Sequence, residues 1–96
     1  MSIVEIMTFR LAEGVTDDAF LSLDRRIQTE LVPNQPGFMR RTTARHGDEW
    51  AVVTLWASDS DAAAFQRETG DHPLQGELGR AAEAGTVHLT RYTTLD

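Results

Sequence analysis

Ninety-six residues, 41% hydrophobic and 25% charged, suit one compact domain with a limited core and do not fit a disordered chain. A formal charge of −6 and a pI near 4.9 leave no basic excess to displace counterions from phosphates, which argues against a nucleic-acid binder. With no cysteine there is no disulfide, thiolate nucleophile or thiolate metal site.

All nine basic residues are arginine, a pattern of genomic composition rather than of mechanism. The opening Met1-Ser2-Ile3-Val4-Glu5 enters an alternating strand at once, without the charged and apolar regions of a secretory signal. No apolar run approaches the ~20 residues that span a bilayer. A cytoplasmic protein is expected.

Residues 3–11 read as a first strand, with Ile3, Glu5, Met7, Phe9 and Leu11 on one face and Val4, Ile6, Thr8 and Arg10 on the other. Thr16 is a good N-cap for a helix that follows, and Asp17 and Asp18 place negative charge at its positive end. Phe20, Leu23, Ile27 and Leu31 form one apolar stripe of that helix, and Pro33 and Pro36 stop it. Phe38 to His46 is a weakly apolar second strand, rich in Thr and Arg, as suits a sheet edge. Gly47-Asp48 is a two-residue hairpin turn with glycine first, the type II′ preference.

The third strand, Glu49 to Trp56, is apolar on both faces. Trp50, Val52, Thr54 and Trp56 share one, and Ala51, Val53 and Leu55 share the other. Two cover layers are needed, and the helices supply only one. The sequence therefore predicts a homodimer built sheet against sheet.

Ser58 or Ser60 caps a second helix, which Gly70 ends. Pro73 starts a short third helix carrying Leu74, Leu78, Ala81 and Ala82, with Gly85 after it. Thr86 to Thr94 is the last strand. The order β-α-β-β-α-β, with one extra helix, is the ferredoxin-like arrangement over a single domain, residues 1–96. Strands one and three are expected side by side at the centre of an antiparallel four-stranded sheet, as a parallel pair, with both main helices on one face.

Pro36-Gly37-Phe38, then Val52-Val53-Thr54-Leu55-Trp56-Ala57-Ser58 before an acidic-capped helix reaching Phe65, resembles the antibiotic biosynthesis monooxygenase domain of the dimeric α+β barrel superfamily. The resemblance covers nearly the whole chain in element order and spacing. It implies a homodimer whose sheets close into a barrel, and a pocket between sheet and helices in each subunit. Some members oxidise polycyclic aromatics with O₂ and no cofactor, and others degrade heme. Heme-degrading members carry an asparagine on strand one, a tryptophan on helix two and a histidine ten residues later. Aligned on Gly14 and Trp56, those places hold Met7, Phe65 and Gln75. All three depart from the heme pattern.

Two side chains are candidate acid–base groups. Glu5 lies among Ile3, Met7 and Phe9, and a carboxylate buried there is a stronger base than a solvated one. The alternative is that it reaches solvent or pairs with an arginine. His72 is a candidate proton shuttle or heme ligand, or simply a loop histidine or helix cap. His46 and His88 read as surface groups.

Trp56, Met7 and Phe65 are candidate substrate walls, suited to a flat apolar ligand, although Trp50 and Trp56 could equally fill the core or a dimer interface. Arg41 and Arg45 share a face of strand two. An anion site is open to them, with edge protection or an inter-subunit ion pair preferred. No phosphate loop, HExxH motif or nucleophile elbow is present, so no nucleotide, flavin or metal cofactor is implied. The resulting expectation is a small cofactor-independent monooxygenase-like homodimer acting on or binding an apolar aromatic compound, with a non-catalytic binding or structural dimer as the alternative.

Overall fold

A computed structural model describes residues 1–95. Four strands, β1 (Ile3–Phe9), β2 (Phe38–His46), β3 (Glu49–Trp56) and β4 (His88–Thr93), form one antiparallel sheet in the order β2-β3-β1-β4. Helices α1 (Asp17–Arg26), α2 (Asp59–Thr69) and α3 (Pro73–Ala81) complete the α+β ferredoxin-like fold. No helix among the described residues is long and apolar enough to cross a membrane.

The central strands are β1 and β3, as expected, but they run antiparallel, Ile3 opposite Trp56 and Phe9 opposite Trp50. The hairpin explains the correction. The α1 crossover returns β2 in the direction of β1, and the Gly47-Asp48 turn then reverses β3. Because β3 inserts between β1 and β2, it opposes both. Gly47 has φ +62 and Asp48 does not have positive φ, which fits the type II′ turn.

Three boundaries differ from the sequence expectation. Strand β1 stops at Phe9, because Arg10 turns its N–H to Thr86 Oγ1 at 3.1 Å and Leu11 keeps only an isolated bridge to Ala82. Strand β4 begins at His88 rather than residue 86, where Thr86 instead closes a turn on Glu83. Helix α3 ends at Ala81, as Ala82 turns extended to meet Leu11. Gly70 does follow α2, but in right-handed helical conformation, so it does not use glycine's left-handed freedom.

Helix α1 is capped as its sequence dictates, with Thr16 Oγ1 accepting from Ala19 N at 3.1 Å. It does not run regularly to Leu31. Pro33 cannot donate a backbone hydrogen bond and disfavours helical geometry in Val32. The chain widens into a π-helical turn over Ile27–Leu31, with Val32 N–H reaching Ile27 O, then closes in a 3₁₀ turn at Val32–Asn34. This path turns Ile27, Leu31 and Val32 all inward, where a regular helix would spread them.

Side chains of the helix-facing sheet surface gather at its two ends. At one end Phe9, Phe20 and Trp50 stack, with ring centroids 5.4 Å apart for Phe9–Phe20 and 4.8 Å for Phe20–Trp50. At the other, Trp56 packs on Phe38 and Phe65 at 5.9 and 5.0 Å. Edge-on and tilted pairs of this kind add about 0.5–1.5 kcal/mol each beyond area burial. The two tryptophans thus belong to one layer but anchor separate clusters.

Gly37 explains the Pro36-Gly37-Phe38 signature. Its φ is +79, and a Cβ there would collide with the Asp61 carboxylate in the first turn of α2. Its carbonyl accepts from Ala57 N at 2.8 Å, stitching the start of β2 to the end of β3. Gly37→Ala is expected to destabilise the protein by about 2 kcal/mol or more, from left-handed backbone strain plus that collision. A urea midpoint within experimental error of the parent's would contradict this assignment.

Candidate functional site

Between the two aromatic clusters the helix-facing sheet carries a polar row. The register places Arg91 on β4 beside Glu5 on β1, Glu5 beside Thr54 on β3, and Thr54 beside Arg41 on β2. On either side of this row the same face is largely apolar, with Ile3 and Trp56 one step away and Met7 and Val52 the other. Four polar residues across the middle of a buried face are a departure from the alternation that builds the fold.

Over the row lies a cavity of about 90 Å³. Its walls include Met7, Trp56 and Phe65, the three residues expected as substrate walls, and Ile27 and Val32 from the π-helical and 3₁₀ turns. Gln75, at the place of the heme-family histidine, lines it too, as do Glu5, Thr54 and Arg41. Leu89, on the edge strand β4, also lines it and is 47% exposed.

Glu5 is 6% exposed and its Oε2 accepts from Arg91 Nε at 2.8 Å. The carboxylate is buried, and it is paired with an arginine, as the alternative reading of this residue allowed. Among the described residues its Oε1 makes no hydrogen bond to the protein.

His72 is placed elsewhere. It is the N-cap of α3, where its Nδ1 accepts from Leu74 N at 3.1 Å, and it does not line the cavity. That bond requires Nδ1 to be unprotonated, which fixes any proton on Nε2. His72 touches the site through α3, whose Gln75 and Leu78 are cavity walls.

Arg41 corrects the reading of strand two. Its side chain is 4% exposed and donates through Nη1 to Asp24 Oδ1 at 2.6 Å, with Thr43 Oγ1 donating to the same oxygen at 3.0 Å. Arg45 pairs with Asp17 and lies over the Trp50 ring, 5.2 Å from its centroid. Both arginines pair with an aspartate of the same chain: Arg41 is buried and is not an edge guard, while Arg45 stays about half exposed. The reason is the strand's parity: Arg41, Thr43 and Arg45 all face the helices.

Asp24 is a site residue the sequence reading missed. Its signal was present, for it stands four residues after Phe20 and three before Ile27, inside the apolar stripe of α1.

Trp56 Nε1 is the one buried side-chain polar atom among the described residues with no hydrogen-bond partner. Native interiors pair nearly all such groups, so this unpartnered donor is an exception within the aromatic cluster of Trp56, Phe38 and Phe65. A second, wider cleft of about 450 Å³ near Arg10, Asp48 and Glu83 is open, and its Arg10–Asp48 pair is exposed, which describes a solvated groove. No cluster of His, Cys, Asp and Glu suited to a metal ion occurs among the described residues.

No family model and no curated protein matches the chain. Solved structures do. SnoaB, a cofactor-independent oxygenase from Streptomyces nogalater, superposes with a TM-score of 0.82 at 18% identity, over 99% of this chain and 94% of that one. The fold is that of the antibiotic biosynthesis monooxygenases. A candidate antibiotic biosynthesis monooxygenase from Bordetella bronchiseptica gives 0.81 at 13% identity, covering 98% and 97%. Another from Nitrosomonas europaea gives 0.78 at 18%, covering 98% and 90%. At these identities the likeness establishes the architecture, and the chemistry must be argued from the side chains.

Proposed function

We propose that this protein is a cytoplasmic, cofactor-independent monooxygenase-like enzyme that acts on a small aromatic compound. The observation that carries the reading is Glu5, a carboxylate buried in an apolar-walled cavity with one oxygen unbonded. The architecture shared with a cofactor-independent oxygenase supports it.

In this reading the walls Met7, Trp56 and Phe65 hold the ring and exclude water. Glu5 Oε1 takes a proton from an activated CH₂ or hydroxyl of the substrate. The resulting anion is electron-rich and is oxidised by O₂ directly. For a CH₂ group the balance is simple: one oxygen atom becomes a carbonyl oxygen and the other leaves as water with the two hydrogens. Oxygen uptake with a panel of quinol- and anthrone-type compounds tests this. No uptake with any of them would leave a ligand-binding or structural dimer as the better reading.

His72 holds the start of α3 and so positions Gln75 and Leu78. His72→Ala is expected to weaken ligand binding several-fold through loss of the cap, worth about 0.5–2 kcal/mol for typical N-caps, with a smaller effect on turnover. Equal losses in binding and turnover, with the helix intact by amide exchange, would instead mark His72 as a reacting group.

The reading includes a homodimer. On the sheet face away from the helices, Val4, Ile6, Ala51, Val53 and Leu55 form an apolar centre, with Tyr92 55% exposed beside it. A second copy pairing face to face would cover it, and a standard interface removes about 800 Å² per partner. Sedimentation is expected to give a dimer at micromolar concentration; a stable, well-folded monomer would defeat this part of the reading.

Heme breakdown is not part of the proposal. Met7, Phe65 and Gln75 offer no asparagine, tryptophan or histidine at the cavity wall, and about 90 Å³ falls far short of the 300–1,000 Å³ of pockets for drug-sized ligands. Hemin with a reductant under air should show no catalase-insensitive loss of its Soret band.

A further inference from the structure

We infer that the cavity takes a neutral, single-ring phenol or enol, which ionises in place with Arg41 binding its oxygen opposite Glu5. The inference rests on the proposed function above and specifies the ligand of that same cavity.

Size is the first argument. A cavity of about 150 Å³ holds benzene, and this one is about 90 Å³. One ring can enter if Leu89, a half-exposed lining residue on an edge strand, gives way slightly. A second fused ring meets Trp56 and Phe65 at one end and Val52 at the other, all held by the sheet or by aromatic packing.

Charge is the second. The row and its helix partner hold Arg91, Glu5, Arg41 and Asp24, two cations and two anions, each cation already paired. The site is electrically neutral, so a ligand that arrives as an anion meets a carboxylate with no spare cation to offset it. A neutral hydroxyl compound avoids this. It can pass its proton to Glu5 Oε1, and the site then contains one fewer carboxylate and one new oxyanion.

Donor placement is the third. Thr54 stands between Glu5 and Arg41 in the register, and adjacent strands are about 4.8 Å apart, so the two charged residues are rooted about 10 Å from each other. An oxygen bound above Thr54 is within reach of both side chains. Arg41 spends Nη1 on Asp24, which fixes the guanidinium plane and leaves further N–H groups of its five for a ligand. Gln28 also contacts this segment, through a long bond of 3.5 Å to the Arg41 carbonyl that leaves the guanidinium untouched.

The test uses 4-nitrophenol, whose anion absorbs in the visible, at a pH where the free compound is mostly protonated. Bound to the parent protein it should show a raised phenolate fraction, and phenol and hydroquinone should displace it. Anthrone and benzoate should compete at least tenfold more weakly. Arg41→Lys keeps the charge for Asp24 but loses the planar fork, and the double variant Asp24→Asn/Arg41→Gln removes both charges. Each should lower the phenolate fraction several-fold while the circular dichroism stays that of the parent.

Anthrone competing as well as hydroquinone would overturn the single-ring assignment and leave the proposed function standing. An unchanged phenolate fraction in both variants would remove Arg41 as the oxygen's partner. Failure of every compound to bind would overturn this inference, while oxygen uptake measured separately decides the proposed function itself.

Discussion

Asp24→Ala is expected to destabilise the protein by about 3–5 kcal/mol, the typical cost of breaking one side of a buried ion pair. Asp24 and Arg41 have side chains only 10% and 4% exposed, so the variant strands a guanidinium that water cannot easily reach. It also strips Thr43 Oγ1 of its acceptor. Against a total stability of roughly 5–15 kcal/mol for a domain of this kind, that loss is large. The paired substitution Asp24→Leu/Arg41→Met should recover most of it, because replacing a whole buried pair by apolar groups is often close to neutral. Urea unfolding of both variants checks the claim. A single variant within about 1 kcal/mol of the parent would show that Arg41 finds solvent or another partner, contrary to its burial.

The same pair shows where sequence reasoning stops. The element order, the caps at Thr16 and Ser58 and the inward face of β3 follow from local chemistry: a hydroxyl before a helical stripe, and strict alternation along a strand. The likeness of Pro36-Gly37-Phe38 to a family marker has a physical root in the contact between Gly37 and Asp61. Strand direction did not follow so easily, because it depends on which strands the hairpin inserts between, a non-local fact.

Arg41 is subtler still. On a strand with so little apolar signal, parity alone could not say which face was buried. Its partner lies 17 residues earlier on another element. Asp24 was visible as an acid within an apolar stripe, and only the fold supplies the arginine that makes its burial tolerable. His72 was readable as a cap residue, since Pro73 at the first helical position marks the helix start, yet the histidine's chemistry drew the reading toward catalysis. A pocket walled by Met7, Trp56 and Phe65 was expected from the family resemblance, but its helical side was not legible. It depends on the π-helical turn before Pro33, which moves Ile27 and Val32 into its wall.

Glu5→Gln should abolish any aromatic oxidation while leaving the protein folded. The contrast with Asp24 comes from the partners. Arg91 is 31% exposed at its side chain, so it can be solvated when the carboxylate is lost. The glutamine is nearly isosteric and its carbonyl oxygen still accepts from Arg91 Nε, which preserves the row across the sheet. What it cannot do is accept a proton, because an amide is no base at neutral pH. Positioned general bases contribute typically 10²–10⁴-fold, so oxygen uptake should fall by at least two orders of magnitude. Binding of a neutral phenol should change little, since cavity volume and walls are retained. A rigid strand position sharpens the comparison, for Glu5 is held between β3 and β4 and cannot swing aside to be replaced by a neighbouring acid. Uptake rate and binding measured on the same preparation separate the outcomes. Equal turnover in the variant would show that Glu5 serves only to anchor Arg91, and the proton would then have to leave by another route.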